Sequence, residues 1–520
     1  MPKALRYGLI SVCLLAVGVG IFATFYVKTL TPRIKARVIR ALEDRFDADI
    51  DLKTVSVALL PRPEVTGEEL TIRHRQWNTP HPLIYIRRFR AATDYTTLLD
   101  WRNRVDIVNL EGLEIHISPH GGATVGEGGK SSAGANRLRF VIQTIEANGA
   151  LLEIEPKQAG KDPLRFQIQQ LVMHSVGPGK AMSFTTKLMN ARPPGLIDST
   201  GNFGPWQRDD PGSTAVSGDY ALHEADLGVF KGISGILSSD GSYHGVLERI
   251  DVDGKTSTPK FDLRATGDPV PLNTIFHAIV DGINGDTILD PVDATFLHSE
   301  FICKGTIVQQ PGAPGKTVTL DAITKRARME DILKLVVGGK PIVTGDVNFT
   351  SKIEIPPGHE EVIDKLKLDG QFALVSATFT SPKAQRRLNT LSDRARGVNK
   401  NEEDNSQGGA PAVASNLRGR FKLARAEASF AGLSFRVPGA EIGLAGTYNL
   451  LSGKVDMNGQ FRMQATLSET QSGVRHILLK PLDRFFEKPG AGFELPIEVS
   501  GTRDQPVIGA TVFHRKFEVH

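Results

Sequence analysis

A fourteen-residue block occurs twice in this chain, and it constrains the fold more than any single residue does. Gly241–Gly254 reads GSYHGVLERIDVDG and Gly446–Gly459 reads GTYNLLSGKVDMNG, with Gly, Tyr, Asp and Gly at matching positions. A looser third copy is Gly419–Gly432, GRFKLARAEASFAG. An internal repeat fixes architecture before it fixes chemistry. Each copy reads as a β-hairpin: a strand opened by Gly-x-Tyr/Phe, a short turn, and a return strand of alternating character. The second copy runs on as Val455, Met457, Gly459, Phe461, Met463, Ala465 and Leu467, with Lys454, Asp456, Asn458, Gln460, Arg462, Gln464 and Thr466 between them. Side chains alternate faces along a strand, so this is one long strand with an apolar face and a wet face.

At 520 residues the chain exceeds a single typical core, so several subdomains or an extended array are expected. Glycine supplies 52 residues, above the usual ~7%, as a turn-rich β protein needs. The net charge of +4 is small, and no segment interleaves dense Lys/Arg with aromatics as a nucleic-acid surface would. Of the two cysteines, Cys13 lies in an apolar run and Cys303 in an expected strand, which speaks against an intramolecular disulfide.

Residues Leu9–Val27 carry no charge. At ~1.5 Å per residue such a run is long enough to span a bilayer. Its apolar residues are Leu9, Val12, Leu14, Leu15, Val17, Val19, Ile21, Phe22, Phe25 and Val27. The length, and the lack of a small-x-small site after it, favour an uncleaved anchor over a signal peptide. Orientation is open on charge alone: Lys3 and Arg6 precede the span, and Lys28, Arg33, Lys35, Arg37 and Arg40 follow it.

Thr31-Pro32 is a helix start, and Ile34, Val38, Leu42 and Phe46 give that helix one apolar stripe. The stripe is suited to covering the following sheet, and docking on the lipid surface is the alternative. Strands are expected at Ile50–Leu59, Glu69–His74, Leu83–Thr93 and Val105–Ser118, the last with Leu113, Ile115 and Ile117 on one face. Gly121–Asn136 has the composition of a flexible linker. Further strands are expected at Leu138–Thr144, Ala150–Glu155, Arg165–Ser175, Ala181–Leu188, Val216–Leu222, Ala294–Phe301 and Lys304–Gln309. Arg192–Ser213 reads as a Pro/Gly-rich loop. Short amphipathic helices are expected at Asp226–Leu237, Pro271–Val280, Arg326–Val337, Glu360–Leu366, Pro382–Arg396 and Val474–Phe486. The most regular strands cover Gly370–Thr380 and Leu417–Leu467, split by a polar, disorder-type loop at Gly397–Asn416. Phe493–Thr502 and Val507–Phe513 are the last expected strands.

No catalytic constellation is present. There is no Gly-x-Ser-x-Gly elbow and no His-Glu-x-x-His or Cys-x-x-Cys spacing. Gly129-Lys130-Ser131 lacks the first glycine of a phosphate-binding loop, Thr124 standing there. His116 and His120 have no third ligand in view and read as exposed histidines rather than a metal pair. Asp281–Asp293 fails as a calcium loop because Val292 replaces the bidentate Glu; a helix-capping turn accounts for it better. Asp251 and Asp253 recur as Asp456 and Asn458 in the later copy, so they read as architecture. No enzyme, cofactor or metal is expected.

Several stretches carry a family likeness: the anchor with Thr31-Pro32, Ala48-Asp49-Ile50, Pro61-Arg62-Pro63, Leu83–Leu99 and Leu110–Ile115 near the N-terminus, then Gly370–Gly397, Arg436–Gly459 and Leu495–Gly509. In these stretches, in order, the chain resembles the AsmA family of bacterial envelope proteins, relatives of TamB-like proteins; the middle, about residues 190–360, shares fewer motifs. The resemblance implies a single-pass bacterial inner-membrane protein with its bulk in the periplasm. It also implies a mainly β fold with short amphipathic helices, in which a long curled antiparallel sheet forms an apolar groove, as in bridge-like lipid-transfer proteins.

The expected organisation is an anchor (1–30), an N-terminal β region with its leading helix (31–120) and a linker (121–136). A central β-groove region with short helices (137–366) and a C-terminal β region (367–520) follow, the last holding loop 397–416 and helix 474–486. The candidate groove residues are Leu113, Ile115, Ile117, Phe421, Leu423, Leu444, Tyr448, Val455, Met457, Phe461 and Met463. Expected partners are phospholipid acyl chains and the inner membrane, with no nucleic acid. The expected role is binding or conducting phospholipid in support of outer-membrane biogenesis. The alternative, of another class, is a non-enzymatic scaffold for outer-membrane or envelope proteins, in which the apolar faces are closed core.

Overall fold

The structure is a computed structural model. It describes residues 48–74, 81–95, 104–117, 141–380, 415–463 and 493–519, apart from 157–159, 178, 208–209, 264–266, 342, 381, 503–504 and 513–514, together with scattered helical positions in 32–43 and 382–392. The chain forms two compact units: Met1–Ala225 with Asp240–Val252 and Val280–Asp286, and Asp226–Ser239 with Asp253–Ile279 and Thr287–His520. The described residues are mainly β, with few and short helices.

In the first unit the strands pair in chain order. β1 (Ala48–Ala58), β2 (Glu64–His74), β3 (Ile84–Ala92) and β4 (Arg104–Ile117) are antiparallel neighbours. β5 (Val141–Ile154) runs parallel to β4, with Arg104 opposite Val141 and Ile117 opposite Ile154. The antiparallel order then resumes through β6 (Leu164–Val176), β7 (Met182–Ala191), β8 (Pro194–Phe203) and β9 (Ala215–Asp226). A parallel pair forces its connection to travel back along the strands, and here residues 118–140, which include the glycine-rich stretch, make that return.

Register aligns the apolar positions of this unit into rows across the strands. Leu52, Leu70, Ile86 and Leu113 form one row, and Ile50, Ile72, Ile84 and Ile115 the next. A shift of one residue would turn each row to the other face, so the hydrophobic pattern sets the pairing. Val38 and Leu42 of the expected stripe, with Ile39, pack against this core, as a sheet-covering helix would; Ile34 and Phe46 lie outside the described residues.

β10 (Ile236–Val246), β11 (Arg249–Phe261) and β12 (Val270–Val280) each have residues in both units. In the second unit, β13 (Thr287–Phe296), β14 (Ser299–Gln309), β15 (Lys316–Arg326), β16 (Val343–Ile355), β17 (Lys367–Phe379) and β18 (Ser415–Ala424) pair successively and antiparallel. The ladder continues through β19 (Glu427–Val437), β20 (Ala440–Asn449), β21 (Lys454–Met463), β22 (Phe493–Thr502), β23 (Pro506–Val512) and β24 (Arg515–Val519). Helix α1 (Met329–Val336) and the single turn α2 (Val362–Lys365) sit between strands where amphipathic helices were expected.

All three repeat copies are hairpins: β10–β11, β18–β19 and β20–β21. The turn of the last, Leu450–Gly453, is fixed by the Asn449 side chain, whose Oδ1 accepts from the backbone N–H of Leu451 and Ser452.

Several expectations are corrected. Pro271–Val280 lies in strand β12 rather than a helix. Its apolar residues suit both periods, but Val270, Leu272, Thr274, Phe276 and Ala278 turn to the shielded side while Ile275 stays 68% exposed. Asp226–Leu237 contains only a 3-10 turn, Leu227–Val229, whose N–H of Gly228 is capped by the Asp226 carboxylate; Leu237 already belongs to β10.

The expected loop Arg192–Ser213 holds strand β8. Its composition is polar because the strand pairs small residues on its shielded side: Gly201 opposes Gly218, and a Cβ on Gly201 would stand 2.1 Å from the Ser217 carbonyl. The two strands expected within 138–155 are one, β5, and the strand expected at Ala294–Phe301 is broken by a turn at Leu297-His298. Asp281 caps a turn between strands, not a helix: its carboxylate accepts from the Ile283 N–H and from Asn284 Nδ2. A last strand, β24, was not anticipated.

No helix among the described residues is long and apolar enough to cross a membrane. The expected span Leu9–Val27, helix Val474–Phe486 and most of loop Gly397–Asn416 lie outside the described residues.

Candidate functional site: one apolar face of the second unit

The registers of the second unit bring apolar residues from successive strands into continuous rows on one face. Val347, Leu374, Leu417, Phe435, Ile442, Phe461 and Leu495 form a row across β16 to β22. A second contains Gly370, Phe421, Phe430, Gly446, Met457 and Val499. A third contains Leu320, Ile353, Leu368, Leu423, Ala428, Tyr448 and Val455. β-bulges in β16–β17, β17–β18, β18–β19 and β19–β20 let the ladder bend without losing this alignment.

Aromatic rings knit the face together. Phe296 stacks on Phe301 at 5.3 Å, Phe301 meets Phe349 edge-on at 6.4 Å, and Phe349 stacks on Phe421 at 5.6 Å. Phe372 approaches the same Phe421 ring at 6.3 Å.

The opposite face is charged, and its pairs cross between strands: Lys304–Asp290, Lys367–Glu354, Lys422–Asp369, Arg436–Glu441 and Arg462–Glu494, at 2.6 to 3.2 Å. Exposed pairs contribute about 0–1 kcal/mol each. Their arrangement marks this face as the solvated one. The hydrogen bond from Arg436, against opposing burial, holds the Glu441 carboxyl below the usual carboxylate range, and Ser434 adds to it.

Burial along the apolar face is uneven. Ala327, Val347, Leu374 and Ala377 form a closed cluster with Met329 and Ile332 of helix α1. Val437, Ala440, Phe461 and Met463 form another. Nearby, Ser392 is fully buried and donates to the Pro438 carbonyl. All these residues lie toward the end of the strands from which the long connections 327–342, 380–414 and 464–492 leave. Toward the other end, where β18–β19 and β20–β21 close through the short turns 425–426 and 450–453, Phe421, Phe430, Tyr448, Val455 and Met457 are only half-buried. A filled two-layer core would bury them.

The expected groove residues therefore fall into two sets. Phe421, Leu423, Leu444, Tyr448, Val455, Met457, Phe461 and Met463 share this one face, with Leu423, Phe461 and Met463 buried and the others half-buried. Leu113 and Ile115 belong to the covered core of the first unit, under Val38, Ile39 and Leu42, and Ile117 ends β4 opposite Ile154. Sequence reading missed Phe301, Cys303, Phe349, Phe372, Phe430 and Ile442. The alternation Val347, Phe349, Ser351, Ile353, Ile355 was the available signal for β16. Cys303 lies on this face, and burial pushes its thiol pKa up.

Polar groups on the shielded side of the first unit are hydrogen-bonded within the protein. Ser199 Oγ donates to the Asp219 carbonyl and stands 2.8 Å from the Tyr243 hydroxyl, whose pKa is raised by burial. His116 is not exposed as expected: it stacks on His81 at 5.0 Å, between Glu114 and Glu153, with 12% of its side chain accessible. His120 lies outside the described residues. Among the described residues no group of three or more His, Cys, Asp or Glu is placed to hold a metal ion.

Comparison of the chain with protein-family models, with characterised proteins and with solved structures gives no match.

Proposed function

We propose that this protein binds phospholipid acyl chains along the apolar face of its second unit, held at the bacterial inner membrane by the Leu9–Val27 segment with its bulk in the periplasm. The reading rests on one observation: an apolar row runs unbroken across β16 to β22, and beside it on the same face Phe421, Phe430, Tyr448, Val455 and Met457 are half-buried. Apolar surface of that extent needs a cover. An acyl chain is a fitting cover because it brings no hydrogen-bonding groups to satisfy on a face built mainly of Phe, Leu, Ile, Val, Met, Ala and Gly. Resemblance to AsmA-type envelope proteins agrees with it and suggests a role in phospholipid traffic during outer-membrane biogenesis.

The test is organic extraction of the full chain purified in mild detergent, followed by lipid mass spectrometry. The expected result is stoichiometric phospholipid, reduced several-fold by Met457→Asp. Lipid-free protein, or lipid unaffected by Met457→Asp, overturns the proposal.

A further inference from the structure

Two contacts join turns that are far apart along the strand order, one in each unit. In the first unit, Lys161 in the β5–β6 connection pairs with Asp286 in the β12–β13 turn, Nζ to Oδ2 at 2.6 Å. The Lys161 side chain is only 3% exposed and that of Asp286 20%. In the second unit, the backbone N–H of Val362, between β16 and β17, donates to the Lys231 carbonyl, between β9 and β10, at 2.8 Å. Gly232 (φ +93) packs so closely that a Cβ there would stand 3.0 Å from the Val362 nitrogen. Each contact links a turn to the turn seven strands further on.

Strands seven apart in a flat ladder lie ~33 Å from one another at ~4.7 Å per strand. Direct contact between their turns requires the sheet between them to curl, and a chord across a curl lies on its concave side. The partners also suit a fastening. Separating a buried ion pair leaves an uncompensated charge away from water, so the pair resists parting of the two turns. The Val362 bond holds two loops through a single donor.

We propose that these two contacts are clasps which hold the curled sheet shut across its shielded face, and that their release admits and frees the apolar ligand. The gating role rests on the ligand reading above; the closure itself does not. Within the second unit, Cys303 on the shielded face of β14 lies among the strands spanned by the clasp, and so reports on closure without any lipid.

Val362→Pro isolates the clasp. Val362 is the first residue of α2, where proline fits, and Glu361 before it has the extended backbone that proline requires (φ −63, ψ 148). The substitution removes the N–H and sets a ring carbon against the Lys231 carbonyl, so it opens the clasp, and Val362→Ala controls for the lost side chain. In full-length protein carrying Cys13→Ser, the expected result is N-ethylmaleimide labelling of Cys303 at least five-fold faster in Val362→Pro, with Val362→Ala at the parent rate. An unchanged rate in folded Val362→Pro overturns the clasp.

Should that variant fail to fold, amide exchange on the parent chain decides. The Val362 N–H is expected to exchange at least ten-fold faster than the β16–β17 ladder amides, and exchange at the ladder rate overturns the clasp. Release of a fluorescent phosphatidylethanolamine, accelerated in Val362→Pro, tests the gate; release at the parent rate overturns it. Protein that labels faster but binds none of this lipid leaves closure standing and removes the ligand reading.

Discussion

The ring of Phe421 in β18 lies over Gly370 in β17. The two residues are register partners, and a Cβ on Gly370 would meet Phe421 Cε1 at 3.0 Å and the Thr350 carbonyl at 2.4 Å. Gly419 bears the same relation to Phe372, with Cε1 3.4 Å from its Cβ position. Glycines on this face thus make room for neighbouring rings, a known way of stabilising glycine within strands.

Gly370→Ala is therefore expected to destabilise. Its new methyl group faces a backbone oxygen that cannot move freely, so a cost of about 1–3 kcal/mol follows. Chemical denaturation of the variant measures it, and a neutral result would place the ring elsewhere.

Leu374 and Val375 are neighbours on opposite faces of β17, 1% and 49% exposed. Leu374→Ala empties part of the cluster under α1 and is expected to cost about 2–5 kcal/mol. Val375→Ala is expected to stay within about 0.5 kcal/mol. Equal losses in thermal denaturation would contradict the assignment of faces.

The parallel β4–β5 pair sets a minimum length for its connection. The chain must return from the level of Ile117 to that of Arg104, roughly 43 Å at ~3.3 Å per residue. Deleting residues 121–124 is expected to be tolerated. Deleting 121–134 leaves about nine residues, which reach at most ~32 Å, and is expected to abolish this pairing. Limited proteolysis and circular dichroism of the two deletions distinguish these outcomes.

Glu441 gives a pH dependence whose sign follows from its depressed pKa. Its contribution is present above the unfolded carboxylate value of about 4.3 and is lost as pH falls through the folded value. Glu441→Gln is expected to lower stability near pH 7 and to converge with the parent protein in acid. The pair is about one-third exposed or more, so solvent screening holds the effect to about 0.5 kcal/mol or less. Denaturation midpoints compared from pH 7 to 3 test it; a gap that widens in acid would contradict it.

Much of this was legible in the sequence, for a physical reason. From Lys454 to Met463 every second residue is apolar and every other one polar, and the structure keeps that alternation in burial without exception. Leu272, Ile275, Phe276 and Ile279 also satisfy a helical spacing, and only the pairing neighbours of β12 decide between the two periods. β8 was hidden because close backbone approach at Gly201 and Gly218 favours small residues over apolar ones. The contacts Lys161–Asp286 and Lys231–Val362 depend on the curl of many strands together, which no local pattern encodes.

Val455 and Asp456 offer the most direct measurement of the central claim, being adjacent residues on opposite faces of β21. A photo-crosslinking amino acid is placed at each in turn, cells are irradiated, and purified protein is analysed for attached phospholipid. Capture at position 455 with little or none at 456 is the predicted result. Equal capture at both positions, or none at 455, would contradict the account.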